Sequence, residues 1–455
     1  MIQMNLHQIS AIVGGNFVGK EARIQGVTTD SRGDCKGKLF VALQGSFFNG
    51  EDYCQAAVEN GAAAVLVANA VEVNVPQLIV HDTLVALQAV ANAWVRQTGV
   101  KVIGITGSNG KTTVKNMLFS VLSQKYKCYA TQGNFNNEVG VPLSLLSISQ
   151  DDQVAVIEMG AAQIGDIAFL TDMIKPDISV VTNIGDAHVG RFGGVDNIAV
   201  GKAEIYQALS VDGLAFINAD SPYKNEFKAK VKGNALTFGS HVDADFRLTK
   251  ELDDYQIITQ RGERLELKLP VLGHHNYLNA TAVVGIALSM RLNFSEIKTG
   301  LATFEPEAGR MQKQKIDENF SVINDSYNAN PASVNAAIDV LKTQNKPTCL
   351  ILGDMGELGG YAKAMHEGVG QYAVQAGLDQ LLAVGEFATH VCGGSESSEK
   401  NSDNTTTQCH VFGAVEDLMA HLKQNQTREG TILVKGSRSM RLERVVDVLT
   451  NGEAV

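Results

Sequence analysis

Residues 100–113, VKVIGITGSNGKTT, decide the fold. The apolar run 100–105 predicts a buried strand. It breaks into Thr106-Gly107-Ser108-Asn109-Gly110-Lys111-Thr112-Thr113, and a helical pattern over 114–126 follows. A strand, a glycine-rich turn and a helix start together make a phosphate site. Glycines let backbone N–H groups approach an anion, and the helix start adds unpaired donors at the positive end of its dipole. Lys111 is expected to reach the β- and γ-phosphates, and the Thr112 hydroxyl to ligate Mg²⁺. The longer pattern G-x-x-x-x-G-K-[ST] asks for glycine at position 105, where this chain has Ile105; the shorter G-x-x-G-K-T runs from Gly107 to Thr112. Strand before and helix after carry the reading of a site for ATP or GTP.

Composition bounds what surrounds that site. A chain of 455 residues suggests about three domains, and 44% hydrophobic with 19% charged residues describes an ordinary globular protein. A net charge of −11 argues against a nucleic-acid or membrane-surface partner, because phosphate surfaces need a basic face. An anionic substrate must then be held by local positive groups. Cys35, Cys54, Cys128, Cys349, Cys392 and Cys409 form no C-x-x-C pair, so neither a zinc site nor a redox dithiol is expected. Free thiols fit a reducing, cytoplasmic location. The opening MIQMNLHQIS has no basic segment leading into an apolar core, and no run reaches membrane-spanning length, so neither a signal peptide nor a membrane segment is expected.

Three segments emerge. Residues 1–81 read as a small α/β unit, with strand-like runs at 40–43, 63–67 and 78–80 and a helix over 53–60 stopped by Gly61. A helix over 83–97 leads into the second unit, and its Trp94 reads as core. Residues 82–310 alternate strand and helix patterns, which implies a mostly parallel sheet with helices on both faces; further strands fall at 154–157, 178–181 and 214–217, and a very apolar helix at 277–292. The alternation restarts in 311–455, a second doubly wound unit, interrupted by a polar insert at 393–404 that reads as a solvated loop.

In such sheets ligands sit at the carboxyl ends of strands. The strand at 154–157 runs into Glu158, expected as the carboxylate partner of Mg²⁺ beside Thr112, or else as a capping or ion-paired glutamate. The strand at 178–181 runs into NIGDAHVGRFGG, residues 183–194, where His188 is either a metal-ligating imidazole or a structural one. Lys202 reads on its own as an ion-pair partner of Glu204. Asn134, Asn136 and Asn137 suit the orientation of a polar substrate, though turn geometry explains such amides too. Three further strings stand at strand or helix ends: GHHN at 273–276, DSYNANP at 325–331 with its proline suited to a first helical turn, and the basic turn KGSR at 435–438.

TGSNGKTT, GNFNNEVGVP, EMGA, NIGDAHVGRFGG, GKAEIY, GHHNYLN, DSYNANPAS, GDMGELG and KGSR occur in that order over essentially the whole chain. Together they resemble the Mur ligase family, ATP-dependent ligases that form the amide bonds of bacterial cell-wall precursors. The resemblance implies a three-domain α/β architecture: an N-terminal domain (1–81) for the UDP end of the substrate, a central P-loop ATPase (82–310) and a C-terminal Rossmann-like domain (311–455). It is nearest to members that add the closing dipeptide, which implies UDP-N-acetylmuramoyl-tripeptide and D-alanyl-D-alanine as substrates and a monomer in the cytoplasm. An Asn-Pro-Arg tripeptide, typical of the ligase that adds the third residue, is absent, and so is the Asp-Gly-Ala-His-Asn run of folylpolyglutamate synthases. Another ligase of the family, adding a different amino acid, and a nucleotide-switched binding protein are the alternatives.

The resemblance also implies roles. Lys111 and Thr112, with Gly107, Ser108, Asn109, Gly110 and Thr113, hold ATP and its metal. Glu158 and His188 ligate two Mg²⁺ ions with Lys202, which is carbamylated: an ammonium beside two Mg²⁺ is repelled, whereas a carbamate offers hard oxygens. His275 and Asn276 lie near adenine, Arg310 near the phosphates and Asp325 near the ribose. Ser31 and Arg32 face the uridine end, and Asn328, Asn330 and the GDMGELG loop the dipeptide. One departure from the family pattern is Glu51, which stands where a histidine is usual.

Overall fold

The computed structural model describes residues 1–252, 254–396, 407–425 and 429–451. The described strands form sheets of five, nine and six strands and one two-stranded ribbon. In the N-terminal unit the five-stranded sheet orders Asn16–Val18, Gln77–Ile79, Ala64–Val67, Leu39–Val41 and Val27–Thr28, the first pair antiparallel and the rest parallel. Its outer short strands carry no run of apolar residues, and the sequence reading passed over them.

The nine-stranded sheet positions the site. From one edge it runs Cys128–Ala130, Val154–Glu158, Lys101–Thr106, Ile178–Val181, Leu214–Asn218, Asn234–Gly239 and Phe246–Glu251, all parallel. Asp254–Thr259 and Arg264–Leu267 then add as an antiparallel ribbon. The ribbon was not foreseen. Arg264–Leu267 alternates charged, exposed residues with buried leucines, and Asp254–Thr259, which packs on the helix His274–Ser289, mixes polar and apolar residues without a buried run at its start. The three central strands, by contrast, are buried on both faces apart from Lys101 at the first position. Register sets their ends level: Glu158 lies opposite Ile105, and Val181 opposite Thr106.

Two helices fix this sheet to its neighbours. Thr83–Thr98 is capped by Asp82, whose carboxylate accepts from Leu84 and Val85 N–H, and is stopped by left-handed Gly99. Its Trp94 is fully buried, as expected of core, and donates Nε1–H to the Ile148 carbonyl at 2.9 Å. Lys111–Leu122, the helix after the phosphate loop, packs against His274–Ser289 and Phe294–Ala302. The helix expected at 277–292 starts earlier, so His274, His275 and Asn276 form its first turn.

The six-stranded sheet orders Gln312–Lys315, Phe320–Asp325, Gly430–Lys435, Thr348–Gly353, Gln380–Val384 and Gln408–Phe412, parallel except at the first strand. Its register brings Asp325 opposite Lys435. Two expectations change here. The helix Ala388–Glu396 extends into the insert read as loop from 393, and 397–406 lie outside the described residues. Cys392 and Cys409, read as free thiols, form a disulfide, because that helix packs back on the strand Gln408–Phe412; Cys35, Cys54, Cys128 and Cys349 are free. A separation of 17 residues carries no pattern that marks such a pair.

Gly300 shows how tightly the phosphate-loop helix is seated. A Cβ there would lie 2.4 Å from Val121 Cα and 2.9 Å from its nitrogen, both backbone atoms that move only with the helix. Gly300→Ala gains about 1 kcal/mol in helix propensity, but overpacking against backbone costs more. The expected outcome is a net loss on the order of 1–2 kcal/mol, read as a lower first unfolding midpoint by scanning calorimetry; an unchanged or raised midpoint contradicts this packing.

Candidate active site

A cleft of about 780 Å³ opens where the carboxyl ends of the central strands face the C-terminal unit. The phosphate loop forms its floor. Gly107 has φ 151°, and a Cβ there would fall 1.9 Å from the Thr182 hydroxyl; Gly110 has φ 79° and lies against the Asn279 amide. The loop is held from below by the neighbouring strand end. Asn109 N–H donates to Asn183 Oδ1 at 2.9 Å, and its carbonyl accepts from the Thr182 hydroxyl and from Asn183 Nδ2. Lys111 Nζ folds back onto the Gly107 carbonyl at 2.7 Å. No side chain caps the helix start at Gly110, so its first N–H groups stay available to an anion.

Glu158 is buried beside the loop. Its Oε2 accepts from the Thr112 hydroxyl and its Oε1 from Asn136 Nδ2, each at 2.9 Å. Arg310 Nη2 donates to the same Thr112 hydroxyl at 3.0 Å, its Nε donates to Glu307, and its guanidinium lies 4.0 Å over the Tyr327 ring. Thr112 and Glu158 thus present hard oxygen donors at one point, next to the phosphate donors.

His188 takes a left-handed backbone, φ 63°, at the start of Val189–Phe192. Its Nδ1 sits against the Glu357 carboxylate, which Arg191 Nη2 also meets at 3.0 Å. Burial lowers the imidazole pKa, Lys111 and Lys202 lower it further, and Glu357 opposes them.

Lys202 is 1% exposed. The ion pair with Glu204 read from sequence does not form: the Glu204 carboxylate accepts instead from Gly165 and Ala168 N–H at the start of Asp166–Ile174. Among the described residues the Lys202 ammonium makes no hydrogen bond or ion pair; its nearest described partner is the Phe192 ring, 5.9 Å to the centroid. Burial first, then the Lys111 charge, push its pKa well below the ordinary lysine value, with Asp166 opposing. Lys115, one turn beyond Lys111, is also buried and lowered by desolvation, with Glu158 and Glu307 pulling the other way.

Of the single residues the sequence assigns to ATP, metal or substrate, all but Gly107, Lys202, Ser31 and Arg32 line the cleft. Gly107 and Lys202 lie behind its wall. Ser31 and Arg32 belong to the N-terminal unit, where the Ser31 carbonyl accepts from Asn60 and exposed Arg32 forks onto Asp30, holding that carboxyl down at about 2. Glu51, the departure from the family pattern, ties two loops by accepting from Ala68 and Asn69 N–H. His275 is kept neutral by burial, which pulls its pKa to about 4.

Several amides read as substrate contacts are already engaged. Asn136 holds Glu158. Asn137 Oδ1 accepts from Gly140 N–H, whereas at Asn328 only the backbone carbonyl is used, accepting from Lys435 Nζ. Asn330 caps Pro331–Leu341 and exchanges amide hydrogen bonds with Asn109, at 2.7 and 3.3 Å. Asn276 donates to the Leu272 carbonyl. Asp325 receives Lys435 Nζ at 2.5 Å and Met311 N–H at 3.0 Å. Sequence reasoning missed Asn183, Asn279 and Lys115, and it read the GDMGELG loop as a dipeptide contact without foreseeing that Glu357 faces His188. Asn183 directly follows a buried strand and Lys115 lies four residues from Lys111, so both left a signal; the pairing of Glu357 with His188 leaves none.

Comparison with known proteins accounts for the arrangement. Residues 23–107 match the Mur ligase family catalytic domain, 105–287 the Mur ligase middle domain, and 309–438 the Mur ligase glutamate ligase domain. The chain is 35% identical to UDP-N-acetylmuramoyl-tripeptide–D-alanyl-D-alanine ligase of Escherichia coli K12, covering 99% of each. It is 33% identical to the Bacillus subtilis 168 ligase of the same name, covering 98% of each. A crystal structure of MurF from Acinetobacter baumannii superposes with a TM-score of 0.90 at 31% identity over 99% of both chains. MurF from Thermotoga maritima, solved with ADP, gives 0.80 at 25% identity over 94% of this chain and 97% of its own. With all three domains matched, and relatives of this identity aligned end to end, the chain belongs to the Mur ligase family.

Proposed function

We propose that the chain joins D-alanyl-D-alanine to UDP-N-acetylmuramoyl-tripeptide at the expense of ATP, in peptidoglycan precursor synthesis, acting as a monomer in the cytoplasm. The observation that carries this is similarity over 99% of the chain to a ligase of that name. The ADP complex of the Thermotoga maritima neighbour supports the nucleotide. No helix among the described residues is long and apolar enough to cross a membrane.

A carboxylate is a poor electrophile, which is why ATP is consumed. The terminal carboxylate oxygen of the tripeptide bonds to the γ-phosphorus as the bond to the β-bridging oxygen breaks, and ADP leaves. The dipeptide amine then attacks the acyl carbon of the mixed anhydride. Its carbon–oxygen bond breaks, phosphate leaves with the electron pair, and the amine proton passes to a base. Lys111 and the open N–H groups of the loop balance charge on the phosphates. Arg310, held by Glu307 and Tyr327, places a second cation beside Thr112. Thr112, Glu158, His188 and a carbamylated Lys202 would hold two Mg²⁺ ions, which when bound neutralise the transferring phosphoryl group and align it. The residues fit that group: two hard oxygens converge at Thr112 and Glu158, and Lys202 is a buried amine with no hydrogen bond or ion pair among the described residues. Burial beside Lys111 favours its neutral form. Its lone pair can then attack the carbon of CO₂, forming the N–C bond as a C=O pair moves to oxygen and a proton leaves the nitrogen for solvent. The product is an anion where a second cation was disfavoured. Asp325, His275 and Asn276 are assigned to the nucleoside, Ser31 and Arg32 to the uridine end, and Asn134 and Asn328 to the peptide.

Three outcomes test this. ADP release should require both the UDP-tripeptide and D-alanyl-D-alanine, and release indifferent to the dipeptide would sink the assignment. Lys202→Ala should reduce turnover by at least 10²-fold while leaving ATP-analogue binding within about threefold, and should remove the carbamate resonance seen by ¹³C NMR after ¹³CO₂ equilibration; near-normal turnover refutes the carbamate. Asn136→Leu removes a hydrogen bond to a buried carboxylate, worth roughly 1.5–3 kcal/mol, so kcat should fall about tenfold or more. An unchanged kcat would mean Glu158 needs no such orientation.

A further inference from the structure

Glu357 has no part in the scheme above, yet it is held from both the C-terminal and the central unit. It sits in the loop 353–359 of the C-terminal unit, which is braced from within its own domain. Met355 N–H donates to His366 Nε2 at 2.9 Å, Gly356 N–H donates to the Ser437 hydroxyl at 2.6 Å, and the Asp354 carboxylate accepts from Glu386 and Phe387 N–H. From this brace Glu357 reaches the central unit in a left-handed backbone, φ 61°. Its carbonyl accepts from Gly190 N–H at 3.2 Å, and its carboxylate meets His188 Nδ1 and Arg191. The two loops touch through glycines: a Cβ on Gly190 would stand 2.7 Å from Gly359 nitrogen. Two non-glycine residues in left-handed conformations facing each other, His188 and Glu357, are a costly arrangement that persists only when the surroundings enforce it.

An imidazole that ligates a cation through one ring nitrogen needs the other fixed by an acceptor, which sets its tautomer and orientation. The Glu357 carboxylate lies against Nδ1, close enough to act as its acceptor, although the two are not aligned as a hydrogen bond and Nδ1 has no hydrogen-bond partner among the described residues. Nε2 carries no hydrogen bond among the described residues, and His188 lines the cleft. We infer that Glu357 is a positioning residue that orients His188 as a cation ligand, so that a site on the central unit is completed by a carboxylate from the C-terminal unit when the two are docked. This rests on the assignment of His188 as a ligand under Proposed function. It adds that the ligand is competent only in the docked arrangement.

The test uses the full chain with a non-hydrolysable ATP analogue and Mn²⁺ as the probe, bound ions and their affinities being read by electron paramagnetic resonance, with circular dichroism as the fold control. Wild type should bind two ions, and His188→Ala should lose the weaker one. Glu357→Ala should weaken that ion about 10–100-fold and leave the tighter one unchanged. Glu357→Gln, which keeps an acceptor oxygen for Nδ1–H, should recover most of the loss. Arg191→Met, which breaks only the docking ion pair, should stay within about threefold of wild type. If His188→Ala loses the ion and Glu357→Ala does not, the orienting role is overturned while the ligand assignment stands. If Arg191→Met is as weak as Glu357→Ala, Glu357 is a docking contact only and the inference fails. If His188→Ala binds both ions normally, the ligand assignment and the inference fail together.

Discussion

One hydrogen bond, from the Thr112 hydroxyl to the Glu158 carboxylate, sets the geometry that everything else serves. It spans from the start of a helix to the end of a neighbouring strand, so it exists only because the sheet register puts Glu158 level with Ile105. A slip of one residue would turn Glu158 to the opposite face of the sheet. The two remaining contacts on this pair come from separate segments: Asn136 from the loop after Cys128–Ala130, and Arg310 from the connection into the C-terminal unit. Four pieces of chain meet at two side chains, and the packing of Gly300 on Val121 keeps the helix from drifting out of that meeting.

The charge distribution follows from the same convergence. The chain as a whole is acidic, yet Lys111, Lys115, Lys202, Arg310 and Lys435 gather around the cleft. Desolvation lowers the pKa of the three lysines on the central unit; Lys111 adds to it at Lys202 and Arg310 at Lys111 and Lys115, with Glu158 opposing at the latter two. A buried cluster of like charge is unfavourable by itself and becomes favourable when an anion enters. The site is therefore built for a polyanion, and its residues hold one another in place before one arrives.

The parallel sheet and its phosphate loop were legible because their signals are local: buried runs, glycines at the turn, Lys111 and Thr112 at the helix start. Glu158 and His188 were legible as strand-end and glycine-loop residues once the site was placed. The antiparallel ribbon escaped because its strands are half solvated and mix polar with apolar residues, so neither presents a buried run. The uses of Asn136, Asn137 and Asn330 escaped for another reason. An amide's partner is set by tertiary contact, and an asparagine-rich loop reads the same whether it binds a substrate, braces a carboxylate or caps a helix. Lys202 carried the opposite error: the residue two positions on looked like its partner, but successive helical side chains face different ways, and Glu204 was needed elsewhere. The Cys392–Cys409 pair was invisible because only the fold brings it together.

Two side-chain contacts by which the C-terminal unit meets the central one differ in kind. Asn330 and Asn109 meet through uncharged amides, whereas Glu357 meets Arg191 through charge. Mobile ions screen the second and leave the first almost untouched. The seam therefore combines fastened contacts with a tunable one: added salt weakens the Glu357–Arg191 pair, while the Asn330–Asn109 amides and the Gly190–Glu357 backbone hydrogen bond keep their hold.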